Sequence, residues 1–119
     1  MSDAIFYRDG KEFDLLAFTI MFNHVHLLFH ADTSGQTEDI AHAISLRIGR
    51  LKSFTARVCN NILDRTGQFW QYESYDHIVA TDKELEDTIW YILNNPVKAG
   101  LVKRWQDWKW SYSKFEITL

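Results

Sequence analysis

The chain has 119 residues, of which 46% are hydrophobic and 24% charged, which suits one domain (1–119) with a buried core and excludes a disordered chain. No apolar run reaches the roughly 20 residues that span a bilayer, and the start lacks a signal-peptide layout, so we expect a cytoplasmic protein without membrane contact. A net charge of −3 argues against a polycationic nucleic-acid binder but allows a local basic face.

The first half of the chain predicts a hairpin, two strands and a long helix. Asp9-Gly10 is typical of a turn and lies between two short aromatic stretches, so we predict a small hairpin over residues 5–13. The apolar run over 15–31 is interrupted at residues 21–23, where two strands are expected to join. Apolar residues at steps of three and four then predict a helix over 37–61.

The second half predicts a further strand and a further helix. Residues 68–80 are typical of a strand, and Thr81 with Glu84 forms a capping box for the helix that follows. We expect that helix to end at Asn95, because Pro96 disfavours a helical conformation in the residue before it. This order of elements predicts an α+β fold, with an antiparallel sheet covered by helices.

His24-Val25-His26 is the most informative tripeptide. Residues two apart on a strand share a face, so both imidazoles are expected to point the same way while Val25 faces a core. Two neutral imidazoles side by side form half of a site for a divalent metal. On the tripeptide alone, two histidines on the wet face of a half-buried strand remain the stronger interpretation.

Tyr91 and Asn95 lie four residues apart and therefore share one face of the second helix. Tyr91 is equally natural as a core aromatic, and Asn95 as a residue that ends a helix. Spacing alone therefore assigns neither of them a function.

Several stretches taken together change this assessment. The sequence resembles the REP-associated tyrosine transposases, which belong to the single-tyrosine HUH transposases of bacterial mobile elements and act on single-stranded DNA. The matching stretches follow in the family's order and spacing over roughly residues 18–113: NHVHLL, FWQ, SYDHIV, YILNNPVKAGLV and W-x-W-S. The resemblance implies a ferredoxin-like antiparallel sheet with helices on one face.

The resemblance also implies a role for each residue of the site. His24 and His26 match the family's paired metal ligands, Asn95 matches the polar residue that completes the metal site, and Tyr91 matches the nucleophile. The implied reaction is metal-dependent cleavage and rejoining of single-stranded or hairpin DNA through a 5′-phosphotyrosine, with magnesium or manganese as cofactor. Tyr72 and Tyr75 are weaker candidates for the nucleophile, because both lie on the strand predicted over residues 68–80.

Two basic groups are candidates for DNA contact, because lysine and arginine side chains hold phosphates. They are Arg47, Arg50 and Arg57 on the long helix, and Lys98, Lys103 and Arg104 beside the aromatic tail. A solvated helix face is an equally good interpretation of the three arginines.

Only 14 residues precede Leu15, too few for the strand and long helix that open the family's fold. We therefore expect the first strand and helix to be missing, or the strand to be replaced by the hairpin over residues 5–13, and a sheet edge to be covered by a second copy in a homodimer. Two alternative functions stay open: a shortened or domesticated relative that binds structured nucleic acid without cutting it, and a metal-binding domain with no nucleic-acid role.

Overall fold

The computed structural model describes residues 1–31, 40–70 and 81–116, with the backbone alone at 40–42. Within these ranges, a three-stranded antiparallel sheet is accompanied by three α-helices, which confirms the predicted α+β fold. In chain order the elements are α1 (Ser2–Arg8), β1 (Asp14–Ile20), β2 (Val25–His30), α2 (Ile40–Leu63), α3 (Asp82–Lys98), a 3₁₀ turn (Trp105–Asp107) and β3 (Ser111–Ser113).

The chain forms two compact units, each assembled from two separate stretches of sequence. The first unit comprises Met1–Phe13 and Ala31–Asp76 and contains α1 and α2, and the second comprises Asp14–His30 and His77–Leu119 and contains the sheet and α3. The prediction of a single domain stays a prediction. In the part of the chain that the structure describes, no helix is long and apolar enough to cross a membrane.

The sheet of the second unit has β1 at its centre, antiparallel to β2 on one side and to β3 on the other. The predicted pair of strands joined at residues 21–23 is confirmed, since β1 ends at Ile20 and β2 begins at Val25. Thr19 of β1 lies opposite both His26 and Ser111. Because directly opposed residues of an antiparallel pair share a face, these three side chains lie on one face of the sheet.

Helix α3 packs on this same face. Its side chains enclose Ala17 of β1 and Leu28 of β2, which oppose each other in the sheet. The helix contributes Ile89, Ile92 and Leu93, of which Leu93 is fully buried. The face that carries His26 is therefore covered by a helix near Leu28 and is not uniformly wet. This packing places the side chains of α3 beside the histidines.

Replacing Leu93 with Ala is expected to destabilise the fold by about 2–5 kcal/mol, because a fully buried side chain leaves a cavity that the core fills only partly. Leu63, at the end of α2, is 59% exposed, and Leu63→Ala is expected to change stability by less than about 0.5 kcal/mol. Urea unfolding followed by circular dichroism measures both, and equal effects of the two variants would contradict the packing described above.

The start of α3 agrees with prediction, and its end does not. The Thr81 hydroxyl accepts a hydrogen bond from the Glu84 backbone N–H at 3.1 Å, as expected for an N-cap. The helix continues past Pro96 to Lys98, so the predicted end at Asn95 is wrong. Pro96 lacks an N–H and gives up one helical hydrogen bond, but its side chain is fully buried in the last turn.

The predicted hairpin over residues 5–13 is also wrong, because residues 2–8 form helix α1. Within α1 the buried residues are Ala4 and Ile5, while Phe6 and Tyr7 are exposed. An aromatic run that looks like a strand is therefore helical, since the packing of two residues outweighs β-propensity. The Asp9-Gly10 turn itself is present: Gly10 has a φ of +80° and donates its N–H to the Phe13 carbonyl.

Helix α2 confirms the long helix of the first unit, although its expected start at Thr37 lies outside the described residues. The apolar stripe is only partly buried: Leu51 is 7% exposed, whereas Phe54, Val58 and Ile62 are 40%, 38% and 76% exposed. Of the strand predicted over 68–80, residues 68–70 are not in a strand, and the rest lies outside the described part of the chain.

Candidate active site

The two histidines lie at the entry to β2. His26 is in the strand and half-buried, whereas His24 precedes the strand and is exposed. The turn is closed by a 2.8 Å hydrogen bond from the Met21 N–H to the His24 carbonyl, and Asn23 Oδ1 lies 2.7 Å from His24 Nδ1. The two imidazole rings are 4.8 Å apart between centroids and nearly perpendicular. The structure therefore brings the predicted pair together.

His26 has the electrostatics of a ligand rather than of a cation. Burial lowers the pKa of His26 below its ordinary value, and the neighbouring His24 lowers it further. A lowered pKa keeps the ring neutral at neutral pH, which leaves a nitrogen lone pair available for coordination.

Tyr91 reaches this pair from α3. Its ring lies 5.7 Å from the His26 ring between centroids, in an edge-to-face arrangement. Its neighbour Ile92 is buried in the core, whereas Tyr91 stands at the border of the packed face and is 55% exposed. The interpretation of Tyr91 as a core aromatic is therefore excluded.

Asn95 lies one helical turn after Tyr91. Its amide nitrogen donates a 3.0 Å hydrogen bond to the Tyr91 backbone carbonyl. This contact fixes the side chain against the helix and leaves the amide oxygen as the atom that can bind a cation. Among the described residues, no group of three or more His, Cys, Asp or Glu side chains is placed to hold a metal. Any metal at this site would therefore need Asn95 or substrate oxygens beside the two imidazoles.

A family model described as "Transposase IS200 like" matches residues 5–95, a range that includes both histidines, Tyr91 and Asn95. This chain belongs to the IS200-like transposase family. A Haemophilus influenzae protein named "Putative REP-associated tyrosine transposase" is 31% identical over 108 residues, which cover 83% of this chain. The chain spans 58% of the length of that relative. No solved structure matches.

The transposase resemblance seen in the sequence is thereby confirmed, and the W-x-W-S stretch lies beyond the end of the family match. In the structure this stretch ties β3 to the end of β1. The indole N–H of Trp108 donates to the Ile20 carbonyl at 3.0 Å, and the Thr19 and Ser111 hydroxyls are 2.8 Å apart. The stretch therefore supports the strand end from which the histidine turn departs. The sequence did not predict that residues 111–113 pair with β1 as strand β3, because three residues are too few to show a strand pattern.

His30, which shares the His26 face of the sheet, has a different partner. Its Nδ1 lies 3.5 Å from a carboxylate oxygen of Asp14, and both side chains are exposed. Tyr72 and Tyr75, the weaker candidates for the nucleophile, lie outside the described residues, as does His77 of the SYDHIV stretch.

The predicted arginines of this IS200-like chain differ in what they contact. Arg50 makes a two-pronged ion pair with Glu12, with Nε 3.1 Å from Oε1, so its charge is partly balanced within the protein. Arg57 is exposed and lines a groove of the first unit that Arg8 and Arg50 also line, and Arg50 is held there in its ion pair with Glu12. Arg47 is half-buried. Arg57 is therefore better placed than Arg50 to meet a phosphate.

The second basic group lies in the unit that carries the histidines. Lys98 is the last residue of α3, and Lys103 and Arg104 precede the 3₁₀ turn. All three side chains are exposed. Their role in DNA contact stays a prediction.

The ion pair between Arg50 and Glu12 predicts that the free energy of unfolding depends on pH. The hydrogen bond from Arg50 lowers the pKa of Glu12, against the opposing effect of burial. Because the folded pKa lies below the unfolded value, the stabilisation is present above about pH 4.5 and is lost as the pH falls through the folded pKa. Glu12→Gln is expected to lower the urea midpoint near pH 7, and this difference from wild type is expected to disappear as the pH falls through the folded pKa of Glu12, which lies below 4.5. Glu116→Gln, at an exposed position, is the control. A difference that does not change with pH would contradict this account.

Proposed function

We propose that this chain carries the DNA-cleaving and rejoining centre of a tyrosine transposase, acting on single-stranded or hairpin DNA. The contact between the Tyr91 and His26 rings, with His24 beside them, is the observation that supports this most directly. The proposed nucleophile, on a helix, and the two proposed metal ligands, at a strand entry, belong to the same compact unit.

Tyr91 supplies the covalent step of the proposed reaction. Its phenolic oxygen attacks the phosphorus of a phosphodiester, and a new bond from tyrosine oxygen to phosphorus replaces the bond from phosphorus to the 3′ oxygen. The phenol loses its proton, and the departing 3′ oxygen gains one and leaves as a hydroxyl. The DNA 5′ end is then held as a phosphotyrosine diester. Because this diester conserves the bond, rejoining is the reverse reaction and needs no ATP.

His24, His26 and the Asn95 amide oxygen are the residues that would hold the metal. Such a mixed nitrogen and oxygen site would take manganese or magnesium when phosphate oxygens and water complete the shell, and two imidazoles would also accept zinc. When bound, such a cation polarises the phosphodiester and stabilises the charge that develops during attack. The half-buried position of His26 and its lowered pKa favour the neutral ring that this ligation requires.

A cleavage assay tests the proposal. End-labelled single-stranded and hairpin DNAs are incubated with the purified chain, with manganese or with chelator, and separated on a denaturing gel. The proposal predicts a protein-linked DNA band in the reaction with manganese and no such band in the reaction with chelator. DNA binding without a protein-linked band, over a broad set of hairpins, would contradict the proposal. It would favour the alternative that this chain binds structured nucleic acid without cutting it.

We also propose that the chain acts as a homodimer. Among the described strands, β2 has β1 as its single neighbour, which leaves one edge open to another strand. Light scattering coupled to gel filtration is expected to give twice the 14.1 kDa chain mass. A monomer mass at micromolar concentration would contradict the dimer and leave the reaction chemistry untouched.

A further inference from the structure

Three aromatic rings, one buried and two exposed, form a cluster beside the histidine turn. Phe22 lies two residues before His24 and is 80% exposed, and its ring meets the Trp108 ring edge-to-face at 5.9 Å. Trp108 in turn meets Trp110 at 5.1 Å, and Trp110 is 41% exposed. We refer to Phe22, Trp108 and Trp110 as the aromatic cluster.

The cluster is anchored to the sheet. Trp108 is 9% exposed, and its indole N–H is bound to the Ile20 carbonyl. The Ile20 N–H donates to the Trp110 carbonyl at 2.9 Å, so backbone and side-chain contacts both hold this segment against the end of β1. Trp108 is thus the buried base of the cluster, and Phe22 and Trp110 are its open rings. A rigid exposed ring loses little conformational entropy when a flat ligand stacks on it.

The surroundings of the cluster favour a polyanionic ligand. Lys109 Nζ lies 5.8 Å from the centre of the Trp110 ring. Lys109 is exposed, as are Lys103 and Arg104 earlier in the same segment. Aromatic faces for bases, with cations for phosphates, are the combination with which proteins hold single-stranded nucleic acid. Bases inside a duplex are stacked on one another, so their faces are not available to such rings.

We propose that the aromatic cluster is a stacking platform for unpaired bases of the DNA strand, with Phe22 and Trp110 as the rings that touch them. The proposal rests on the proposed function and narrows its substrate to DNA that is unpaired near the scissile phosphate. Phe22 shares its turn with His24, so a base stacked on Phe22 enters the site next to a metal-ligating side chain. Phe22 and Trp110 would then determine which phosphate is presented to Tyr91.

Equilibrium binding of dye-labelled DNA, measured by fluorescence anisotropy in chelator, tests the platform without cleavage. The probes are an unstructured single strand and a blunt hairpin closed by a minimal loop. Phe22→Ala and Trp110→Ala are each expected to weaken single-strand binding about 10-fold and to change hairpin binding less than about threefold. Phe22→Tyr keeps the ring and is expected to bind like wild type, whereas Phe22→Leu keeps apolar area and is expected to bind like Phe22→Ala.

Phe115→Ala is the matched control, because this ring of the same unit is 43% exposed and follows β3. Wild-type affinity for the single strand in both Ala variants would overturn the platform, as would an equal loss on both probes. A change in oligomeric state on gel filtration would also overturn it, because the rings would then cover another protein chain.

The adduct assay separates this proposal from the proposed function. If wild type forms the protein-linked band and the Ala variants keep full single-strand affinity, the platform fails and the proposed function stands. If wild type forms no band while Phe22→Ala and Trp110→Ala selectively lose single-strand binding, the catalytic proposal fails and the platform stands.

Discussion

Replacing Tyr91 with Phe is expected to abolish the protein-linked DNA band, with a loss in cleavage rate of at least about 10³-fold, because no other atom of that side chain can bond to phosphorus. The Tyr91 ring contact with His26 survives in Phe, so the fold and the histidine pair are expected to persist. Affinity for single-stranded DNA is expected to stay within about threefold of wild type. A denaturing gel and an anisotropy titration measure the two effects.

Tyr7→Phe is the control for this variant. Tyr7 is 66% exposed, and its ring contacts Lys11. It belongs to α1 in the first unit, outside the unit that carries the histidines. The Tyr7→Phe variant is expected to form the protein-linked band at the wild-type rate. A band that persists in Tyr91→Phe would show that a different residue is the nucleophile.

The His24→Ala, His26→Ala double variant is expected to have the second-largest effect. Removing both imidazoles leaves one amide oxygen as the protein ligand, so manganese affinity is expected to fall by about 100-fold or more and metal-dependent cleavage to disappear. Isothermal titration with manganese and the cleavage gel measure these effects. Unchanged cleavage in the double variant would exclude the histidines as metal ligands.

His30→Ala is the matched control for the double variant. His30 shares the sheet face of His26, yet its imidazole pairs with Asp14 at the far end of the strand. Metal affinity and cleavage are both expected to match wild type. A loss in His30→Ala equal to that of the double variant would indicate a general effect on the sheet.

The sequence predicted the parts of the site that depend on local patterns. The apolar runs before and after residues 21–23 predicted β1 and β2, because runs rich in β-branched and aromatic residues suit a pleated, half-buried surface. Thr81 and Glu84 predicted the start of α3 from one hydrogen bond that the structure contains. The four-residue spacing of Tyr91 and Asn95 correctly placed them on one helix face, where Asn95 bonds back to Tyr91.

Long-range packing determined what the sequence could not predict. Pro96 remains in the helix because its ring is buried, and burial is not visible in the residues around it. The sequence from Ile5 to Tyr7 is typical of a strand, but these residues belong to helix α1, whose buried residues are Ala4 and Ile5. The pairing of Arg50 with Glu12 joins residues 38 positions apart and changes the interpretation of a basic stripe. The sequence places Phe22 only at the join between two strands, because its contact with Trp108 depends on how β3 pairs with β1.

Mapping the DNA-linked peptide tests the central claim most directly. After reaction with single-stranded DNA and manganese, nuclease trimming and trypsin digestion, residues 84–98 form one peptide that contains Tyr91 as its single tyrosine. Tyr72 and Tyr75 fall together in the peptide of residues 66–83. We expect mass spectrometry to find the nucleotide mass on the 84–98 peptide at Tyr91. A nucleotide on the 66–83 peptide, or no modified peptide under conditions that cleave the DNA, would contradict Tyr91 as the nucleophile.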